Sequence, residues 1–193
     1  KYGVRFQTIR NLPFNAGSNP KADTEKQVKE SIIIYQGAVN VGRGLTQAIG
    51  AMKFIENAIL VIVGNGDIIN ELKDLVKTEN LSRKVKFAGQ LPFEELSDLT
   101  QTASLGISVE EDLGLNYRFA LPNKLFDYIQ ARIPVVASDL PEMAAVVNRY
   151  QIGLICPSHD PQKMAECFHE ALTNINLRKT WENNLKLAAS ELI

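Results

Sequence analysis

Six short apolar runs, at residues 31–35, 59–63, 85–88, 104–109, 134–137 and 153–156, alternate with segments of helical period. This alternation constrains the fold more than any other feature of the chain. Between the runs, 44–56 sets Leu45, Ala48, Ile49, Met52 and Ile55 along one side, and 67–79 does the same with Ile68, Leu72, Leu75 and Val76. Further helices are expected at 93–102, 122–132, 141–149, 161–174 and 177–192, the 161–174 segment opening on the capping pair Asp160-Pro161. A run that is apolar at nearly every position has both faces covered, the pattern of a parallel strand. Parallel neighbours need crossover helices, and right-handed crossovers lead to an α/β, doubly wound parallel six-stranded sheet of the Rossmann-like kind. Ligands of such sheets bind beyond the carboxyl ends of the strands. The residues that follow each run are therefore where chemistry is expected.

Residues 1–30 break the pattern. Asn11-Leu-Pro-Phe, Asn15-Ala-Gly-Ser-Asn-Pro20 and the charged stretch to Glu30 hold little that could build a core. They are expected to be an interdomain linker or the tail of a preceding domain, with the domain itself at 31–193. The first residue is Lys1 rather than Met, so a piece of a longer chain is expected. A net charge of −1 and a pI of about 6.2 disfavour nucleic acid as a partner. Two cysteines, Cys156 and Cys167, make neither a disulfide framework nor a metal cluster, which points to a reducing, cytoplasmic compartment. No apolar run has the length of a membrane span and no signal peptide opens the chain.

The segment 120–138 carries the clearest chemistry. Pro122 suits the start of a helix, since its missing N–H costs nothing there. Asn123 and Lys124 fall in the first turn, where free N–H groups and the positive dipole end attract an anion. Asp127 follows on the same face. An anion seat, a cation and a carboxylate together suit a nucleotide, with phosphate at the helix end and ribose hydroxyls at the acid.

Other features are less specific. Gly37, Gly42 and Gly44 follow the first run, with Arg43 at the mouth of the next helix. This spacing fits a diphosphate grip by Arg43 and fits a plain tight turn equally well. Gly64-Asn-Gly66 reads as a structural turn, with Asp67 as cap of the following helix. Glu110-Glu111-Asp112 reads as a solvated loop more readily than a metal site, with Glu110 or Glu111 free to face the cleft. His159 and His169 lack the partners of a nucleophile or metal centre, and Trp181 is expected to pack the last helix on the domain.

Taken together and in order, these pieces resemble the C-terminal, donor-binding half of a group 1 glycosyltransferase of the two-Rossmann (GT-B), retaining kind. Residues 1–13 resemble the crossing from the first domain, and 37–44 its Gly-Arg-Leu-x-x-x-Lys-Gly loop. Leu60-Val-Ile-Val-Gly-Asn-Gly66 resembles the second strand, 85–91 with Glu94-Glu-Leu96 the third strand and helix, and 121–138 the Leu-Pro-Asn-Lys-x-Phe-Glu-Tyr signature.

The resemblance implies transfer of a sugar from a UDP- or GDP-linked donor to an acceptor hydroxyl in glycan synthesis, capsule or lipopolysaccharide for example. It implies no metal and no cofactor besides the donor. The acceptor site would belong to a missing N-terminal domain, so the isolated piece would be inactive. A lipid-linked acceptor at the inner membrane face is compatible. Arg43, Lys124 and Glu111 are the expected reaction-centre residues. Gly37, Gln90, Leu91, Asn123 and Asp127 are the expected donor-binding residues, with the base at Gln90 and Leu91 and ribose at Asp127. Sugar recognition falls near 116–122. Two positions depart from the family pattern: Ala38 stands where an Arg is usual, and Phe119 where the first acid of the E-x7-E motif would fall. These departures keep a degenerate, non-catalytic nucleotide-binding module open as an alternative. A GT-B nucleotide-sugar epimerase is a second one.

Overall fold

The computed structural model describes residues 30–192. The expected linker at 1–30 lies, save for Glu30, outside the described residues. The six strands are β1 (Ser31–Gln36), β2 (Ala58–Val63), β3 (Val85–Gly89), β4 (Leu105–Ser108), β5 (Val135–Ser138) and β6 (Gly153–Cys156). They form one sheet in the order β3-β2-β1-β4-β5-β6, with every neighbouring pair parallel. The chain starts in the middle, winds to one edge, returns, and winds to the other. This is the doubly wound plan expected from the alternation of periods.

The helices are α1 (Leu45–Ala51), α2 (Ile69–Thr78), α3 (Phe93–Thr102), α4 (Leu115–Arg118), α5 (Asn123–Gln130), α6 (Pro141–Tyr150), α7 (Pro161–Thr173) and α8 (Ile175–Glu191). Asp160 caps α7 by accepting from the N–H groups of Gln162 and Lys163, and Asn174 caps α8 through Leu177. The expected cap at Asp67 is a correction. α2 starts later, after Ile68, and the Asp67 N–H instead donates to Asn40 Oδ1 at 3.1 Å. The turn after β2 is thus tied to the loop after β1, and that tie outweighs a local cap. The helix expected at 44–56 ends at Ala51 and tightens into a 3-10 turn, Met52–Phe54. Lys84 Nζ takes up the carbonyls of Met52 and Ile55 at 3.0 and 2.7 Å, which satisfies the acceptors released there.

β1, β2, β4 and β5 are buried along nearly their whole length, while the edge strand β3 alternates. Trp181, Leu185 and Ala188 fix α8 to the body, as expected for Trp181. Burying a side chain such as Leu185 contributes roughly 1.5–3 kcal/mol.

β1 and β4 meet at the centre, where the strand order reverses, and pair over Ile33–Leu105 and Ile34–Gly106. Tyr128 from α5 closes the seam. Its hydroxyl lies 3.2 Å from the carbonyls of Ile34 and Ile107 and accepts from the Gln36 N–H at 3.2 Å. A Cβ on Gly106 would sit 2.5 Å from the Tyr128 ring, so the glycine makes room for that staple. α5 is thereby pinned across the switch point of the sheet.

Candidate functional site

Beyond the ends of β1 and β4 lies the switch point of the sheet, the position where doubly wound sheets bind ligands. Gly37, Arg43, Lys124 and Asp127 all reach it. Lys124, in the first turn of α5, is buried and donates from Nζ to Glu110 Oε1 at 2.7 Å. The ammonium also lies 3.9 Å from the centroid of the Tyr35 ring, and a Cβ on Gly37 would meet its Cε at 3.6 Å. Glu110 is wholly buried and its second oxygen accepts from Ser108 Oγ at 2.8 Å. Its burial corrects the solvated-loop reading for Glu110, while Asp112 is exposed as that reading expects.

Arg43 approaches from the other wall. Its Nη1 is 3.9 Å from Glu110 Oε1, and its guanidinium stands 5.6 Å from the Tyr117 ring centroid. Arg43 Nε is buried with no hydrogen-bond partner among the described residues. A buried donor without an acceptor costs about 1–3 kcal/mol, and an incoming anion would remove that cost. The loop holding Arg43 cannot shift freely. Gly44 has φ 66°, and a Cβ there would fall on the Val109 carbonyl oxygen. The glycine loop is thus seated against the chain leaving β4.

Burial opposes the ionisation of Glu110, but the Lys124 ammonium and the hydrogen bonds from Lys124 and Ser108 overcome it and hold its pKa below the ordinary value. Burial lowers the Lys124 pKa, with Glu110 acting in the opposite sense. Asp127 differs: burial raises its pKa, and the hydrogen bond from Gln36 Nε2 at 2.8 Å only partly offsets this. Gln36 is in turn held by Thr100, whose hydroxyl lies 2.9 Å from Gln36 Oε1.

The remaining expected residues sit apart. Asn123 is exposed at the start of α5. Glu111 is half-buried, and its backbone N–H donates to the Gly42 carbonyl at 2.9 Å. Its carboxylate has no hydrogen bond to another described residue; the acid joined to Lys124 and Arg43 is Glu110. Gln90 and Leu91 follow β3, two strands from β1 and so roughly 10 Å along the sheet. Gln90 lines an open pocket with Gly64, Asn65, Ile69, Lys73 and Phe87, continuous with the same edge of the sheet. Phe119 is 56% exposed after α4, a short helix that periodicity did not predict.

Sequence reasoning did not find Gln36, Ser108, Tyr35, Tyr128 or His159. The last, before α7, has its Nε2 at 3.1 Å from the carbonyls of both Val109 and Glu110 and so ties down the loop after β4. A polar residue closing an apolar strand, as Gln36 and Ser108 do, was the signal available.

The sequence model of the group 1 glycosyl transferases matches residues 18–187. A relative 26% identical over 181 residues is an uncharacterized glycosyltransferase, MJ1607, of Methanocaldococcus jannaschii; the match covers 91% of this chain and 44% of that one. The chain thus spans less than half the length of this curated relative. Among solved structures, HepE of Anabaena in complex with UDP-glucose superposes with TM-score 0.73 at 17% identity, over 86% of this chain and 45% of that one. The C-terminal domain of LpcC, a group 1 family protein of Francisella tularensis, superposes with TM-score 0.67 at 16% identity, over 84% and 85% of the two chains.

Proposed function

The chain belongs to the group 1 glycosyl transferases, and on that premise we propose that it is the donor-binding half of a transferase that moves a sugar from a UDP- or GDP-sugar to an acceptor in glycan synthesis. The observation that carries the reading is the buried, unpartnered Arg43 Nε, with Arg43 and Lys124 both gathered on Glu110 at the switch point. Both cations belong to the diphosphate. Lys124 has three donors and spends one on Glu110 in the resting site, so it can bridge the carboxylate and a phosphate oxygen. As the bond to the sugar breaks, negative charge grows on the departing diphosphate. Arg43, Lys124 and the free N–H groups opening α5 are already in place to stabilise it. This is the electrostatic task a metal performs in other transferases, and the proposal assigns it to the protein. Asp127 accepts from the ribose hydroxyls, and the pocket at Gln90 takes the base. Because an Anabaena neighbour was solved with UDP-glucose, uridine is the first base to test.

The acceptor, and with it the membrane-face or lipid-linked partner, belongs to an N-terminal domain outside this chain. Residues 1–30 lead in from that domain, and the 31–193 domain alone binds donor without turnover, on the cytoplasmic side.

The Glu110–Lys124 pair supports a second reading, a degenerate module in which the lysine charge is already spent internally. Calorimetry with UDP and GDP separates the two. The donor reading expects saturable binding that weakens about 10- to 100-fold in Arg43→Ala and in Lys124→Ala. Binding untouched by both substitutions overturns the diphosphate site, and no binding of either nucleotide selects a degenerate module that has lost its nucleotide site.

A further inference from the structure

At the opposite end of the strands, by the amino end of β5, a cavity of about 270 Å³ opens between the turn after α5 and the start of α8. Pro134, Trp181 and Leu185 give its lining an apolar part. Arg132, Arg178 and Lys179 line it as well. Among the described residues no carboxylate pairs with any of the three. The one acid at the rim, Glu182, is paired with Lys186 at 3.1 Å.

One of these cations is held in place. Arg178 Nη1 donates to the carbonyls of Ser104 and Ala171 at 3.2 and 3.0 Å, which fixes the guanidinium and leaves its other N–H groups free. Burial lowers its pKa, and no acid raises it. Arg132 has φ 59°, a left-handed conformation that a long side chain adopts only at a cost of about 1 kcal/mol or more. Glycine would take that turn without strain. The positive end of α8 adds to the same field.

We propose that this cavity is a second anion site, separate from the donor site, that binds the phosphoryl group of a small ligand. Guanidinium forks match phosphate oxygens in pairs. The volume falls just below the usual range for drug-sized ligands, which suits a phosphate or diphosphate group and not a whole nucleotide sugar. The group has two sources, a free phosphate compound or the headgroup of an anionic lipid.

Trp181 is the only tryptophan of the chain, so its fluorescence reports on this cavity alone. The 193-residue chain is titrated at constant ionic strength with inorganic pyrophosphate, and separately with phosphatidylcholine vesicles with and without phosphatidylglycerol. A saturable change in emission is expected that weakens at least about tenfold in Arg132→Gly/Lys179→Gln and persists in Arg43→Ala. Neither cavity substitution removes a core side chain, and thermal melting of the double variant checks its fold. A response to pyrophosphate assigns a free anion, and a response confined to phosphatidylglycerol vesicles assigns a lipid headgroup. No saturable response to either, the same response to sodium chloride, or an equal response in the double variant overturns the proposal.

Discussion

The Lys124 ammonium and the Glu110 carboxylate meet at 2.7 Å with the two side chains 8% and 0% exposed. The pair stands at the sheet's switch point, joining α5 to the chain leaving β4, so fold and site depend on the same bond. Removing one partner strands a buried charge, at a cost of about 3–5 kcal/mol. Lys124→Met and Glu110→Gln are each expected to lose up to that much in urea unfolding. The double variant Glu110→Gln/Lys124→Met is expected to lose clearly less than the sum, which a double-mutant cycle measures.

The same pair sets an acid limit. The folded pKa of Glu110 is held below its ordinary 4.5. Between the two values the unfolded chain binds more protons, so stability rises with pH. The contribution is complete above 4.5 and is lost as the pH falls through the lowered value. Melting temperature followed from about pH 6 to pH 3 is expected to fall less steeply in Glu110→Gln than in the wild type. Parallel curves would remove Glu110 from the acid response.

Gly44→Ala tests the seat of the glycine loop. A Cβ there collides with the Val109 carbonyl, and φ 66° is strained for alanine in any case. A loss of about 2 kcal/mol or more is expected, with the loop displaced from β4. If the donor reading holds, UDP affinity falls in the folded fraction as well, because Arg43 moves with the loop.

Asp127 carries the opposite sign from Glu110. Its raised pKa means that the folded state binds more protons above the ordinary 3.8, so its carboxylate weakens stability most fully above the raised value. Asp127→Asn is expected to stabilise the domain at neutral pH by roughly 0.5–1 kcal/mol. The same change is expected to weaken UDP about tenfold, since a charged acceptor for ribose is lost. A variant both less stable and fully competent to bind would contradict the assignment.

Periodicity alone established the strands, their parallel pairing and the helices between them, because burial on both faces and on one stripe leaves different local patterns. Neighbouring residues were equally enough for the cap at Asp160. The short helix α4 and the lost cap at Asp67 were not legible, since each is decided by a loop meeting another loop. The site divides along the same line. Arg43, Lys124 and Asp127 were recognisable as residue types at a helix start. That Glu110 rather than Glu111 holds Lys124, that Gln36 holds Asp127 and that His159 holds the loop was decided only in three dimensions. The partners in these bonds are separated by 14, 91 and 49 positions. No pattern in the chain encodes such pairings, because they exist only once packing has brought the carboxyl ends of β1 and β4 side by side.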